Sequence, residues 1–147
     1  MKPYEHLAIS GGYAVCISLF TRDWKIGLVS VLVGVLWDVD HFIDYWYRFG
    51  FNLDLRKFLT MCHAQYFDKL FLFLHSYEIV FLLGIYFLYV KNSFLFLGVF
   101  VPALLHLICD QIFNPVKPLG YFLTLRVYHR FDTDFAFDRE KFENEKH

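Results

Sequence analysis

The sequence predicts an all-α fold: a multi-pass transmembrane bundle of about four helices with amphipathic segments at the membrane interface. Composition is the first indication, because 57% of the 147 residues are hydrophobic and 22% are aromatic, whereas soluble domains are about 45–50% apolar. The second indication is that the apolar residues form four long segments separated by polar turns. The length predicts a single membrane-embedded domain, with residues 1–120 as the core bundle and residues 121–147 as an interfacial segment and charged tail.

The four apolar segments are the candidate spanning helices. They cover residues 7–20, 26–37, 70–90 and 94–113. A helix needs about 20 apolar residues to cross a bilayer, so the third and fourth are long enough, whereas the first and second need their flanking residues. The short turns TRDWK and KNS join the segments in pairs, which predicts two helical hairpins.

The remaining stretches predict interfacial structure. Between the hairpins, residues 47–69 predict an amphipathic surface helix, capped by Asn52 or Asp54. Its apolar stripe would consist of Leu55, Phe58, Leu59, Cys62 and Tyr66. After the fourth segment, NPVKPLGY ends the helix, and alternating aromatic and charged residues predict an interfacial segment followed by a charged tail.

Charge predicts the orientation and excludes some functions. With four spans, both termini and the central connection share one side, which carries six basic residues before the tail against three in the two short turns. The positive-inside rule therefore places both termini and the central connection in the cytoplasm. A net charge of -1 argues against nucleic-acid binding. Three cysteines without a CxxC motif argue against a disulfide framework.

Histidines and carboxylates fall near the same end of every predicted helix, whereas the opposite ends carry no histidine. A charge at the centre of a spanning helix costs about 2.5–3.5 kcal/mol, so several together need compensation. A divalent cation is one solution, because carboxylate and neutral imidazole are good ligands for it. The residues are His6 before the first segment, Asp38, Asp40, His41 and Asp44 after the second, His75 and Glu78 in the first turns of the third, and His106 and Asp110 in the last turns of the fourth.

Spacing supports shared helix faces. His106 and Asp110 are four residues apart, and Asp38 and His41 are three apart, so each pair points from about one face. Structural alternatives stay open for several of the others. Asp40 and Asp44 could be solvated charges at a helix end, and His6 could be an interfacial residue. Glu78 could pair with a tyrosine or histidine, and His63 and His129 could be surface residues.

Four motifs, HLAISGG, LWDVDHFIDY, LHSYE and LLHLICDQ, give the chain a resemblance to the membrane-bound metal-dependent hydrolase family of bacterial and archaeal inner-membrane proteins. The resemblance covers about residues 6–114 and implies several transmembrane helices and a hydrolase activity. The metal-site set that it implies is His6, Asp38, Asp40, His41, His75, His106 and Asp110. A more remote similarity is to zinc-dependent phospholipases C, which are all-helical and bind several zinc ions.

One position departs from the family pattern. Many members carry a second histidine five residues before the histidine of the HS motif, and here that position is Leu70. His63 or Glu78 could replace the missing ligand.

These observations predict a membrane-bound metal-dependent hydrolase with its site at the cytoplasmic helix ends, acting on a phosphoester or lipid-like substrate such as a phospholipid. Zn²⁺ is the favoured ion, as one or two ions, with Mn²⁺ or Mg²⁺ as alternatives, and Asp38 or Asp110 could bridge two metals. A carboxylate that binds no metal, Asp40, Asp44 or Glu78, would be the general base.

Three basic residues near the C-terminus, Arg126, His129 and Arg130, are the candidates to hold an anionic head group. Ser76 is not favoured as a nucleophile, because no separate base is available once His75 binds a metal. Two other functions remain open: a non-catalytic membrane adaptor with a structural metal site, and a metal-handling or transport protein. The transporter hypothesis is weaker because the polar residues cluster at one end.

Overall fold

The computed structural model describes residues 3–64 and 69–138. Within these ranges the chain is helical, and its strand pairing is limited to two isolated bridges, Lys69 with Asp132 and Val116 with Phe137. The helices are α1 (Pro3–Thr21), α2 (Trp24–Leu36), α3 (His41–Phe49), α4 (Leu55–Ala64), α5 (Tyr77–Tyr89), α6 (Ser93–Leu95), α7 (Val101–Phe113), α8 (Leu123–Tyr128) and α9 (Thr133–Ala136). The all-helical prediction is confirmed for these residues.

The first predicted hairpin is formed by α1 and α2. A 3₁₀ turn, Trp37–Asp40, joins α2 to α3 without a break, giving one continuous 26-residue helix, Trp24–Phe49. Asp23 begins it by accepting the backbone N–H of Lys25 at 2.9 Å. The hairpin packs closely, because a Cβ added at Gly34 would lie only 1.9 Å from Ser10 Oγ of α1.

The third predicted span is much shorter than expected. Only Tyr77–Tyr89, 13 residues, is helical, which corresponds to about 20 Å against a hydrocarbon core of about 30 Å. Residues 70–76 form a loop, and Ser76 begins α5 by accepting the N–H of Ile79 at 3.4 Å. His75 therefore precedes the helix and does not lie in its first turns, because this loop is held by buried side chains from elsewhere.

The fourth predicted span is a continuous helix, Ser93–Phe113, of 21 residues. It widens to a π-helical stretch at Phe96–Phe100 just before Pro102. Proline has no N–H to donate back along the helix, which favours such local rearrangement. Within residues 3–64 and 69–138, two helices are long and apolar enough to cross a membrane, Trp24–Phe49 and Ser93–Phe113, and a bundle of four spanning helices is not confirmed.

The connection between the hairpins contains α4, which confirms that part of it is helical. Asp54 caps it by accepting the N–H of Lys57 at 3.0 Å. Phe58 is buried, stacked on Phe42 at 3.8 Å between ring centroids, whereas Leu59 of the predicted stripe is exposed. Tyr66 and the tail from residue 139, like the side chains of Cys62 and His63, lie outside the described residues.

The sequence predicts that the segment after α7 lies at the membrane interface. In the structure it folds back onto the ends of the helices. Val116, Tyr121 and Phe137 are buried in the main hydrophobic core, which they share with Trp37 and Leu107. This core lies at the end of the bundle that carries the histidines, so the C-terminal segment covers the candidate site.

Candidate metal centre

Two buried imidazoles from different elements meet at the centre of the site. His75 comes from the loop before α5 and His106 from α7, and their Nε2 atoms are 3.2 Å apart. Both side chains are almost completely inaccessible to solvent. At this distance the two nitrogens can share a proton, and they are also close enough to bind one cation.

Two carboxylates complete a four-atom group around this point. Asp38 Oδ1 lies 3.3 Å from the Nε2 atoms of both His75 and His106. Asp110 Oδ2 lies 3.3 Å from His75 Nε2 and 3.4 Å from His106 Nε2. We call these four atoms the inner group.

Separations within the inner group match those between neighbouring ligands of one metal ion. Metal–ligand bonds of about 2.0–2.1 Å in a tetrahedron separate the ligand atoms by about 3.3–3.4 Å. Five of the six separations within the group fall between 3.2 and 3.4 Å. The residues present therefore fit a divalent metal ion.

Hydrogen bonds behind the imidazoles turn their Nε2 atoms toward the centre. His75 Nδ1 lies 3.0 Å from Asp40 Oδ1, and His106 Nδ1 lies 2.9 Å from the carbonyl oxygen of Gly34. With Nδ1 carrying the proton, each Nε2 keeps its lone pair for a cation. Metal-binding histidines are commonly fixed in this way by a carboxylate or a carbonyl behind the ring.

His6 lies on the outer side of the same carboxylates. Its Nε2 is 3.2 Å from Asp110 Oδ1 and 4.0 Å from Asp38 Oδ2. These are the two carboxylate oxygens that do not belong to the inner group. Its ring stacks on His106 with 4.0 Å between centroids. The N-terminal helix therefore adds a further ligand at the edge of the inner group.

The accessible edge of the cluster is formed by Asp38 and His41. Their side chains are 31% and 21% exposed, and His41 Nε2 is 3.6 Å from Asp38 Oδ1. The other ligands are buried, so solvent or substrate can reach the group from this edge. Two overlapping sets of side chains could hold a metal ion, one of His6, Asp38, His106 and Asp110 and the other of Asp38, His41 and His75.

Protons compete with a metal ion for the imidazole of His75. Burial disfavours a charge on His75, but the surrounding carboxylates outweigh burial and hold the pKa of this imidazole well above its usual range. A metal ion that binds His75 must displace that proton, so metal affinity should fall as the pH falls.

The loop that carries His75 is held by a buried guanidinium. Arg126 Nη1 donates to the carbonyls of Phe71 and Leu72 at 2.6 and 2.9 Å, and Nη2 donates to the carbonyl of His75 at 2.8 Å. The side chain is 0% exposed. An arginine that holds a lipid head group needs an accessible guanidinium. The guanidinium of Arg126 is buried, and it positions the loop. The other two candidates, His129 and Arg130, are exposed in the turn after α8 and lie outside the cluster.

Asp40 and Asp44 also support this loop. Asp40 Oδ2 accepts the N–H of Leu74 at 2.8 Å, and Asp44 Oδ1 accepts the N–H of Phe71 at 2.6 Å. Leu72 between them has φ +38°, an unfavourable conformation for leucine that its surroundings maintain. The structure thus places Asp40 behind His75 and Asp44 outside both ligand sets. Both oxygens of Asp40 and Oδ1 of Asp44 bind the loop, whereas Asp44 Oδ2 is buried without a hydrogen-bond partner among the described residues.

Glu78, the third candidate base, is committed to α8. Its carboxylate accepts the backbone N–H groups of Leu123 and Thr124, both at 2.9 Å, and the hydroxyls of Ser76 and Thr124 at 2.9 and 2.8 Å. These contacts fix the start of α8 and leave this carboxylate without a position at the metal group. The hydroxyl of Ser76 is likewise occupied, in agreement with its exclusion as a nucleophile.

Two supporting residues were missed by the sequence analysis. Asn114 Nδ2 donates to Asp110 Oδ1 at 2.8 Å, and its spacing of four residues from Asp110 could have indicated it. The sequence could not indicate the carbonyl of Gly34 as a partner of His106. Every residue has a backbone carbonyl, and the packing of two helices decides which one lies next to the imidazole.

Comparisons with protein-family models, with curated proteins and with solved structures found no match for this chain. The function therefore has to be inferred from the geometry and chemistry of the site.

Proposed function

We propose that the protein is a membrane-bound, metal-dependent hydrolase of phosphoesters, the activity that its motifs suggested by resemblance. The arrangement of Asp38 and Asp110 is the observation that carries the proposal. Each presents one oxygen to the inner group and the other toward His6. Carboxylates divided in this way are suited to bridge two cations, and two-metal sites are common in enzymes that hydrolyse phosphoesters.

The two positions would differ in their ligands. The inner group would supply four protein atoms, which is the number of ligands that a closed structural zinc site takes. The outer position is offered His6 and the outer oxygens of Asp38 and Asp110, three protein ligands, which is the usual complement of a catalytic site that keeps a place for water or substrate. A divalent ion held there would lower the pKa of a coordinated water to near 7 and polarise a phosphoryl oxygen.

Zn²⁺ is the ion that this ligand set favours. Imidazole nitrogens are good ligands for zinc, whereas Mg²⁺ prefers oxygen ligands in an octahedron with bonds of about 2.0–2.1 Å. Neighbouring atoms in such an octahedron would be about 2.9–3.0 Å apart, which is shorter than the 3.2–3.4 Å of the inner group.

We place the site on the cytoplasmic side of the inner membrane, a choice supported by the basic residues of the termini and central connection.

Metal content of single variants tests the site. We expect Asp38→Asn, His75→Ala, His106→Ala and Asp110→Asn each to lower the metal stoichiometry of the purified protein, measured by elemental analysis. Because stabilisation by a ligand scales as RT ln(1 + [L]/Kd), losing a site saturated at 100 Kd removes about 2.7 kcal/mol. These variants should therefore melt earlier and respond little to added Zn²⁺. His129→Ala is the matched control, because this exposed histidine lies outside the metal cluster. Its described ring contacts are with Tyr128 and Phe135.

Activity separates the hydrolase from an adaptor with a structural metal. Hydrolysis across a panel of phosphoesters should disappear with a chelator and return with added Zn²⁺ or Mn²⁺. His6→Ala should abolish hydrolysis while the inner metal is retained. A parent protein that binds metal at full stoichiometry and hydrolyses none of the panel would favour the adaptor function instead.

A further inference from the structure

One face of the long helix Trp24–Phe49 is exposed and apolar over its whole length. Exposed residues recur every three or four positions along this face, which we call the outer stripe. It includes Trp24, Leu28, Leu36, Val39, Ile43 and Tyr47, each 40% to 66% exposed. Exposed charges stand only beside its ends, at Lys25 and Arg48.

The outer stripe has the length and the ends of a surface that faces lipid. Trp24 and Tyr47 are 23 residues apart, which is about 35 Å along a helix, and the hydrocarbon core of a bilayer is about 30 Å thick. Tryptophan and tyrosine are enriched at the two membrane interfaces. The chemistry of the stripe thus matches acyl chains along its length and head groups at both ends.

This placement sets the depth of the metal centre. Asp38 lies 14 residues after Trp24 and nine before Tyr47, about 21 Å and 14 Å along the axis. The second long helix agrees, since His106 is 13 residues after Ser93, about 20 Å from the same side. On that helix Ile108 and Ile112 are also exposed around the level of Asp110. The ligands therefore lie below the level of Tyr47, alongside residues that face lipid.

The accessible edge of the site opens beside the outer stripe. Asp38, at 31% the most exposed of the four inner-group side chains, directly precedes Val39, which is 54% exposed. The opposite side of the cluster is closed by the core and by the C-terminal segment. A substrate that approaches Asp38 and His41 therefore reaches them at the depth of lipid-facing residues.

We infer that the site takes its substrate sideways from one leaflet of the bilayer, and that this substrate is an amphiphile whose phosphoester is joined to an acyl-chain-bearing alcohol. The inference rests on the proposed hydrolase function and specifies its substrate class. In the reaction, water adds to phosphorus and the P–O bond to the alcohol breaks. The proton released by water passes to the leaving alcohol, so the products are the lipid alcohol and the phosphate-containing fragment.

The depth of the edge can be measured without any activity. Spin labels are attached at Val39→Cys and Ile43→Cys in a protein whose Cys16, Cys62 and Cys109 are replaced by serine. In lipid bilayers, the collision rates of each label with oxygen and with a water-soluble nickel chelate measure its depth. Leu28→Cys is the reference inside the membrane, and Lys117→Cys is the exposed reference outside both long helices. Both labels should resemble Leu28, with at least several-fold preference for oxygen. Nickel access equal to that at Lys117, or a label immobilised by a second copy of the chain, would overturn the inference.

The substrate class is tested by comparing a diacyl phospholipid in mixed micelles with the deacylated, water-soluble phosphodiester of the same head group. The lipid should be hydrolysed at least tenfold faster, with a rate that follows its mole fraction in the micelle and not its bulk concentration. Equal or faster hydrolysis of the soluble phosphodiester would overturn lateral access while leaving the hydrolase intact. If metal-loaded protein hydrolyses neither of these two but does hydrolyse another phosphoester of the panel, the inference fails and the hydrolase function stands. If it hydrolyses no phosphoester at all, the proposed function fails and the inference fails with it.

Discussion

Replacing Gly34 with alanine should weaken metal binding by wedging α1 away from α2. A Cβ at this position would lie 1.9 Å from Ser10 Oγ and 2.7 Å from Ser10 Cβ, whereas non-bonded atoms favour about 3.5–4.0 Å. The Ser10 hydroxyl can rotate away, but the contact with Ser10 Cβ still requires the helices to separate by about 1 Å. Ser10 lies one turn from His6, and the carbonyl of Gly34 accepts the hydrogen bond of His106, so the displacement acts directly on two ligands.

The size of the effect follows from the cost of overpacking, about 1–3 kcal/mol. If all of it opposes metal binding, affinity should fall by about 5–150-fold. Competition with a chromophoric chelator in detergent solution measures this change. Ser10→Gly removes both clashing atoms, and the next atom, Ser10 Cα, is 3.9 Å away, so the double variant Ser10→Gly/Gly34→Ala should recover most of the affinity.

Gly12→Ala is the matched control for helix propensity, because a Cβ there meets nothing within 4 Å. It should bind metal like the parent. Parental affinity in Gly34→Ala would show that the contact between α1 and α2 does not position the ligands. A double variant as weak as Gly34→Ala alone would show that the clash with Ser10 is not the cause.

Three further predictions concern the supporting residues and the topology. Asp40→Asn should lower metal affinity by about 10–100-fold, because the carboxylate behind His75 orients that imidazole; unchanged binding in a chelator competition would argue against this role. Glu78→Gln should keep hydrolysis per bound metal within a few-fold of the parent, because this carboxylate holds α8; a loss of 10³-fold in kcat would restore it as a general base. A reporter fused after His147 should read as cytoplasmic and one in the turn at residues 91–93 as external, and reversed signals would contradict the proposed orientation.

The supporting roles could not be read from the sequence. Asp44 and Phe71 are 27 residues apart, Glu78 and Thr124 are 46 apart, and Arg126 and Phe71 are 55 apart. Such contacts depend on the path of the loop before α5 and on the fold of the C-terminal segment. A carboxylate that supports a loop and one that acts as a base have the same sequence signature, so the general-base candidates stayed undecided.

The sequence by itself determined the helical class and the location of the candidate ligands near one end of each helix, because hydrophobic periodicity and the cost of burying charge act locally. The short turns then force neighbouring helices to run in opposite directions, which brings distant histidines to one end. Only the tertiary structure decided that His75 lies in a loop, that Arg126 is buried, and which oxygens of Asp38 and Asp110 face the inner group. Those choices depend on hydrogen-bond partners and helix separations of a few ångströms, which are set when the elements pack together.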